Sequence, residues 1–238
     1  MRFPIRLMTT GLLGLVALSA CVSMYPDPMP VPEQLAAAPE WRVSARMGMR
    51  NPARLLFGPF SADTVQIRDI RQRGGILDAV AGKREYQQQY TFVLRDTLRT
   101  VRWMARCDSR ERERGVAIGS VDIELGSGLS LECDLRPGAD TASQWKLQVT
   151  GRNDGMPAGT LRRGEASFAI SGKRAPGRAE EDGWPAGYHV TRDGILVLAV
   201  DRTPPGYVRM APGLSPDDQA LLAAASAALM LQARLITE

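Results

Sequence analysis

Histidine and cysteine are scarce in this chain, and their scarcity excludes several kinds of site. The 238 residues include one histidine, His189, and three cysteines. One histidine cannot supply a cluster of imidazole ligands, and neither an HExxH nor a CxxC pattern occurs. No Gly-x-Ser-x-Gly turn offers His189 a serine nucleophile to activate. The sequence therefore predicts no metal, no cofactor and no enzyme active site, and a structural or exposed position for His189.

The chain also lacks an apolar run long enough for a permanent transmembrane helix, which needs about 20 residues. Residues 7–18 are apolar apart from two threonines, and they follow a start that holds Arg2, Arg6 and no acid. A proline-rich segment begins at Pro26, soon after the apolar run. A basic start followed by a short apolar core is typical of a cleavable export signal.

The end of this leader reads Leu18-Ser19-Ala20-Cys21, and it resembles the lipobox of bacterial lipoproteins. The resemblance implies that the Cys21 thiol receives a diacylglyceryl group, that cleavage follows Ala20, and that the new amine is acylated, commonly with palmitate. Two or three acyl chains give a stable membrane anchor, whereas one gives marginal binding. Val22 after the cysteine implies the periplasmic face of the outer membrane, with the inner membrane as the alternative. An ordinary secretory signal with a chance cysteine is the competing interpretation.

The two other cysteines, Cys107 and Cys133, are candidates for a disulfide because an exported protein meets an oxidising compartment. A bond between them would close a loop of about 25 residues, which the chain-entropy model values at about 3–4 kcal/mol. Two reduced, buried cysteines are the alternative.

Basic residues outnumber acidic residues only slightly. The formal charge is +4, and it falls to +2 when residues 1–20 leave with their two arginines. Nucleic acid is therefore not a predicted partner, since a phosphate-binding surface needs clustered cations. A modest basic set is a candidate for contact with anionic lipid headgroups: Arg68, Arg71, Arg73, Lys83 and Arg84. The polar exterior of a β protein explains the same residues, and the sequence favours that explanation.

After the leader, the sequence predicts a tether and one domain. Residues 21–40 hold the cysteine to be acylated and five prolines, which predicts an extended, semi-rigid tether. From residue 41 to 238, short alternating runs recur between turn residues at a spacing of about 8–12 residues. This spacing predicts about twelve strands in an antiparallel barrel or sandwich.

The C-terminus has a different pattern, which predicts a helix. Ser215 can cap its first turn, Pro216 suits its first position, and Asp217 and Asp218 suit its positive end. Residues 220–231 are apolar on every side except at Ser226. Such a helix must be buried, yet its length of about 20 Å is too short for a bilayer. We therefore predict a closed barrel around the helix. The alternatives are an open β-sandwich or a lipocalin-like barrel with the helix packed outside.

The pattern as a whole resembles the tubby-like superfamily, which includes the LURP-one-related proteins and the phospholipid scramblases. The similar parts are residues 187–202 (GYHVTRDGILVLAVDR), residues 206–210 (GYVRM) and the final helix. The resemblance implies a barrel of about twelve strands threaded by the C-terminal helix. Tubby domains bind phosphoinositides through basic surface residues, and none of those is matched here.

Together these features predict a lipid-anchored, non-catalytic protein of the bacterial envelope. It would bind envelope proteins or lipid headgroups through its outer surface. A periplasmic lipid-handling or hydrolytic enzyme that uses His189, and a lipocalin-like carrier, remain the alternatives.

Overall fold

A computed structural model describes residues 28–44, 54–73, 83–98, 100–118, 121–138, 143–152, 155–174, 176 and 184–233. Ala20 and Cys21, the predicted cleavage and lipidation residues, lie outside these ranges.

The described residues form one antiparallel sheet of twelve strands. The strands are β1 (Glu40–Arg42), β2 (Leu55–Phe57), β3 (Phe60–Arg73), β4 (Lys83–Arg95), β5 (Val101–Ile118), β6 (Val121–Pro137), β7 (Trp145–Arg152), β8 (Ala158–Arg163), β9 (Ala166–Lys173), β10 (Gly187–Arg192), β11 (Ile195–Asp201) and β12 (Tyr207–Met210). Each strand from β2 to β12 pairs with the next along the chain, and β1 pairs with β12. The alternating pattern therefore predicted both the number and the antiparallel pairing of the strands.

The sheet curls into a nearly closed barrel. Ser44, just after β1, and Leu56 in β2 exchange backbone hydrogen bonds of 2.9 and 3.3 Å, which join the two edges of the sheet. An open sandwich would leave these edges apart, so that alternative is wrong.

The C-terminal helix α1 (Pro216–Leu231) lies inside this barrel. Its Ser215 cap accepts a 3.1 Å hydrogen bond from the Asp218 amide, as the sequence predicted. Every residue from 220 to 231 is buried. The helix packs against β3, β4, β5 and β6 on one side and against β11 on another. The alternative with the helix outside the barrel is therefore also wrong.

Small residues on the helix make room for large ones on the strands. Six of its buried positions are alanine, and the largest fully buried side chains on the strands include Tyr90, Tyr188, Phe92 and Phe168. The Tyr90 hydroxyl also donates a 2.6 Å hydrogen bond to the carbonyl of Ala228. An alanine helix is thin, and interiors pack to a constant high density. The lumen is consequently filled by side chains from the wall.

The predicted disulfide is present. Cys107 of β5 and Cys133 of β6 are direct cross-strand partners, with 4.1 Å between their Cα atoms. Both are buried and belong to the main core.

The described part of the predicted tether is packed on the outside of the barrel. The Met29 amide donates a 2.9 Å hydrogen bond to the carboxylate of Asp201 at the end of β11. A 3₁₀ helix (Glu33–Leu35) follows and leads into β1. A small second core seals this segment against the sheet: Leu35, Ala38, Leu196 and Ala199. Contact with the barrel thus begins well before residue 41.

Candidate functional site

The helix gives the barrel two distinct ends. We call the end where α1 begins the Ser215 end, and the end where α1 stops the Gln232 end. At about 1.5 Å per residue, the 16 residues of α1 separate these ends by about 24 Å.

A buried polar cluster closes the lumen at the Gln232 end. The guanidinium of Arg202 donates to the backbone carbonyl of Gln232. The Tyr188 hydroxyl donates a 2.9 Å hydrogen bond to the side-chain oxygen of Gln232. The side-chain NH₂ group of Gln232 donates a 3.4 Å hydrogen bond to the hydroxyl of Ser109. Just beyond, the Ala233 amide donates to the side-chain oxygen of Gln88 at 3.2 Å. The last turn of α1 is thereby bound to strands on both sides of the barrel.

The electrostatics of this cluster suit a structural role. Burial lowers the pKa of Arg202, and the nearby tyrosines and Glu111 oppose that shift. The guanidinium lies 4.8 Å from the ring centre of Trp184 and at the negative end of the helix. Burial raises the pKa of Tyr188 to about 12, and it raises that of Tyr90 as well. Proton transfer favours a pKa near the working pH, so these tyrosines are poorly suited to it.

Sequence reasoning did not find this cluster. The sequence feature that could have indicated the cluster is Arg202, a cation that directly follows the apolar strand β11 and its terminal Asp201. A charge at the end of an apolar strand usually reaches water. Here the helix terminus covers it, and that arrangement depends on tertiary packing.

The Ser215 end carries an open cleft of about 430 Å³. Trp103 and Trp145 line it, and the Arg163 guanidinium lies 5.2 Å from the ring centre of Trp145. The acids that start the helix are engaged in ion pairs: Arg102 with Asp217 at 3.1 Å, and Arg192 with Asp218 at 2.8 Å. Both tryptophans are at least 94% buried, so the cleft offers a ligand little aromatic surface.

The Arg192–Asp218 pair makes a testable pH prediction. Hydrogen bonds from Arg192 lower the pKa of Asp218, so its contribution to stability is complete above the unfolded value of about 3.9. That contribution is lost as the pH falls through the lowered pKa. We expect Asp218→Asn to reduce the free energy of unfolding at pH 7 by about 1 kcal/mol or less. In urea titrations the difference from wild type should vanish once the pH is below the lowered pKa of Asp218. Asp217→Asn, at a side chain 95% exposed, is the control; a difference that persists at low pH would contradict this assignment.

The basic residues predicted for headgroup contact lie on two neighbouring strands. Arg68 and Arg71 of β3 are in register with Gln89 and Gln87 of β4, and Arg68 is exposed. Arg73 ends β3 beside the start of β4, which holds Lys83 and the exposed Arg84. Glu85 lies among these cations and accepts from Arg112 at 3.5 Å. The five residues thus lie on two paired strands, but the side chains of Arg71, Arg73 and Lys83 lie outside the described part of the structure, and contact of the set with lipid remains a prediction.

His189 has no catalytic surroundings within the described residues. It is half-buried on β10 between the fully buried Tyr188 and Val190, opposite Ser171 and Ala199. Burial lowers its pKa, and the charge of Lys173 adds to the shift. In the same part of the chain, no three His, Cys, Asp or Glu side chains are grouped so that they could hold a metal ion.

Comparison with known proteins gives no relative. No family model matches the chain, and no curated protein or solved structure matches it. Among the described residues, none of the helices has the length and apolar character needed to cross a membrane.

Proposed function

We propose that this protein is a lipid-anchored, non-catalytic component of a bacterial envelope that binds its partner through the outside of the barrel. The filled lumen is the observation that carries the proposal. A barrel of this kind can hold a small ligand when its interior is open. Here α1 occupies the interior, and the residues around it are buried and packed. A carrier of the lipocalin type has no room for its ligand in this arrangement.

The remaining surfaces are the outer wall and the two ends. They are rich in paired charges and, within the described ranges, hold no group of three His, Cys, Asp or Glu side chains that could bind a metal ion. Binding is therefore better supported than catalysis. The partner is an envelope protein or the lipid headgroups of the membrane that carries the anchor.

The proposed membrane anchor is inferred from the N-terminal leader sequence that ends at Cys21. Acylation of Cys21 would hold the domain at the periplasmic face of the outer membrane by two or three chains. This fits the disulfide between the buried Cys107 and Cys133, since such bonds persist in an oxidising compartment.

Replacing Cys21 with alanine tests the anchor. We expect Cys21→Ala to abolish labelling of the protein by a radioactive fatty acid and to leave residues 1–20 uncleaved. Wild type should float with the outer-membrane fraction in a density gradient. Ser23→Ala, two residues further on, removes a hydroxyl outside the lipobox and should label and float as wild type does. Labelling that persists in Cys21→Ala would overturn the proposal.

A further inference from the structure

Two basic side chains face each other on the outside of the barrel near the Ser215 end. Lys146 of β7 is the direct cross-strand partner of Arg162 of β8, and both are exposed. The next pair along these strands, Leu147 and Leu161, is fully buried, which fixes the two cations on the outer face. Like charges at directly opposite positions destabilise a sheet, so packing of the fold does not explain why two cations meet there.

Two more arginines connect this pair to the cleft of about 430 Å³ at the same end. Arg163, the next residue of β8, lies 5.2 Å from the ring centre of Trp145, and both residues line the cleft. Arg136 is exposed on β6 and directly precedes Pro137, which is another lining residue. We call these four cations the basic rim: Arg136, Lys146, Arg162 and Arg163.

Acidic side chains are interspersed with the basic rim. Glu132 and Asp134 face outward on β6, and Asp134 is the cross-strand partner of Lys146. Glu165 is exposed on the turn after β8, and Asp217 is 95% exposed on the wall of the cleft that α1 provides. These carboxylates would repel a uniform polyanion such as a phosphate-rich surface. A peptide in which carboxylates alternate with apolar and amide groups is a better match.

The cleft has the size and the lining for an apolar side chain of such a peptide. Its volume falls in the usual range of ligand pockets, about 300–1,000 Å³. Val101 and Pro137 supply partly buried apolar surface, and the exposed Thr100 adds a hydroxyl. Arg163 supplies a planar guanidinium, which binds a carboxylate through two parallel hydrogen bonds. Residues 139–142, which precede Ser143, lie outside the described part of the structure and form no part of this site.

The basic rim lies far from the point where the N-terminal segment joins the barrel. Met29 is bound to Asp201 on β11, and the segment around it lies against β11 and β12 at the Gln232 end. Strands β8 and β7 are four and five places from β12 in the ring of twelve, which is close to the opposite side. Seven residue steps separate Cys21 from Pro28, and they span at most about 25 Å. An anchored barrel therefore turns the rim away from its own bilayer.

We propose that the basic rim and the cleft bind an acidic peptide segment of an envelope protein. Carboxylates of the segment pair with Lys146, Arg162 and Arg163, and an apolar side chain enters the cleft. This inference deepens the proposed function and rests on it, because the proposed function places the partner on the outside of the barrel. It makes a protein, and not the lipid of the anchoring membrane, the partner at the Ser215 end.

Fluorescence anisotropy with a defined peptide tests this site. The probe is a fluorescein-labelled peptide of glutamate and leucine, EELEELEE, added to the acylated protein in phosphatidylcholine nanodiscs. We expect saturable binding to wild type and at least tenfold weaker binding to Lys146→Glu with Arg162→Glu. Arg68→Glu with Arg152→Glu makes the same change in net charge at exposed positions outside the rim and should bind as wild type does. Equal weakening in both double variants would reduce the effect to net charge and overturn the proposal.

A single substitution separates recognition from folding. Arg162→Glu would place an acid opposite Lys146, and opposite charges in direct register stabilise a sheet. The urea midpoint should therefore rise while the peptide binds several-fold more weakly. Wild-type binding by Arg162→Glu would overturn the proposal. A lower urea midpoint would overturn it as well, because the pair of like charges would then be no burden on the fold.

Competing probes identify the class of ligand. Polyphosphate and vesicles that contain phosphatidylglycerol should displace the peptide poorly. Displacement by either at an equal concentration of charge would make the rim a general anion surface and would contradict a peptide site. Mass spectrometry of Cys21 reports the anchor separately. A Cys21 without acyl chains would refute the proposed anchor, and the same peptide titration in buffer would still decide the site. An acylated protein that does not bind the peptide would overturn the site alone.

Discussion

Replacing Ala224 with aspartate should leave this domain unable to fold. Ala224 lies in the middle of α1 with no exposed surface, inside a ring of strands. An aspartate there would be a buried carboxylate without a cation, which costs several kcal/mol even after relaxation. Its larger side chain would also overpack the lumen, at about 1–3 kcal/mol. Domains have about 5–15 kcal/mol of stability in total, so this single change would remove most of the free energy of unfolding.

The measurement is the circular dichroism and urea unfolding of the exported protein. Wild type should unfold in one cooperative transition, and Ala224→Asp should show no transition or should not accumulate. Asp217→Ala removes an exposed acid from the first turn of the same helix and should change stability by about 1 kcal/mol or less. A folded Ala224→Asp protein with a transition like that of wild type would mean that the helix does not fill the barrel.

The position of α1 could be predicted from the sequence because the relevant information is local. The run from residue 220 to 231 is apolar on all sides, and a helix of that length must be surrounded by protein when it cannot span a bilayer. Alternation and turn spacing supplied the strands in the same way. Together these patterns led to a closed barrel with the helix inside.

Two features of the structure could not be predicted by such reasoning. Five prolines between residues 22 and 40 indicated an extended tether, yet Met29 and Leu35 are bound to the barrel through a hydrogen bond and a small core. A proline-rich segment has the same local sequence pattern whether it extends into solvent or packs against the barrel. Nor does any periodicity indicate that Arg202 meets the end of α1, because that contact joins positions 30 residues apart. Pairwise tertiary contacts of this kind are not encoded in hydrophobic patterning.

Loss of the Arg202 side chain should be the most damaging change at the Gln232 end. Arg202 is 7% exposed, donates to the carbonyl of Gln232 and shares its surroundings with Tyr188 and Glu111. Arg202→Ala would remove a buried cation and leave these partners without it. Breaking a buried charged arrangement by removing one partner typically costs about 3–5 kcal/mol. Arg163→Ala, which removes an exposed guanidinium from the face of Trp145, should cost about 1 kcal/mol or less.

Urea unfolding gives the total loss, and amide hydrogen exchange gives its location. Exchange should accelerate first at residues 228–232, the last turn of α1, if Arg202 binds that turn to the wall. Gln232→Ala sharpens the test because Arg202 bonds the backbone carbonyl, which alanine keeps. That variant loses the hydrogen bonds to Tyr188 and Ser109 and should cost less than Arg202→Ala. Equal losses in the two variants would assign the stabilisation to the Gln232 side chain, and Arg202 would then be a buried charge that the fold merely tolerates.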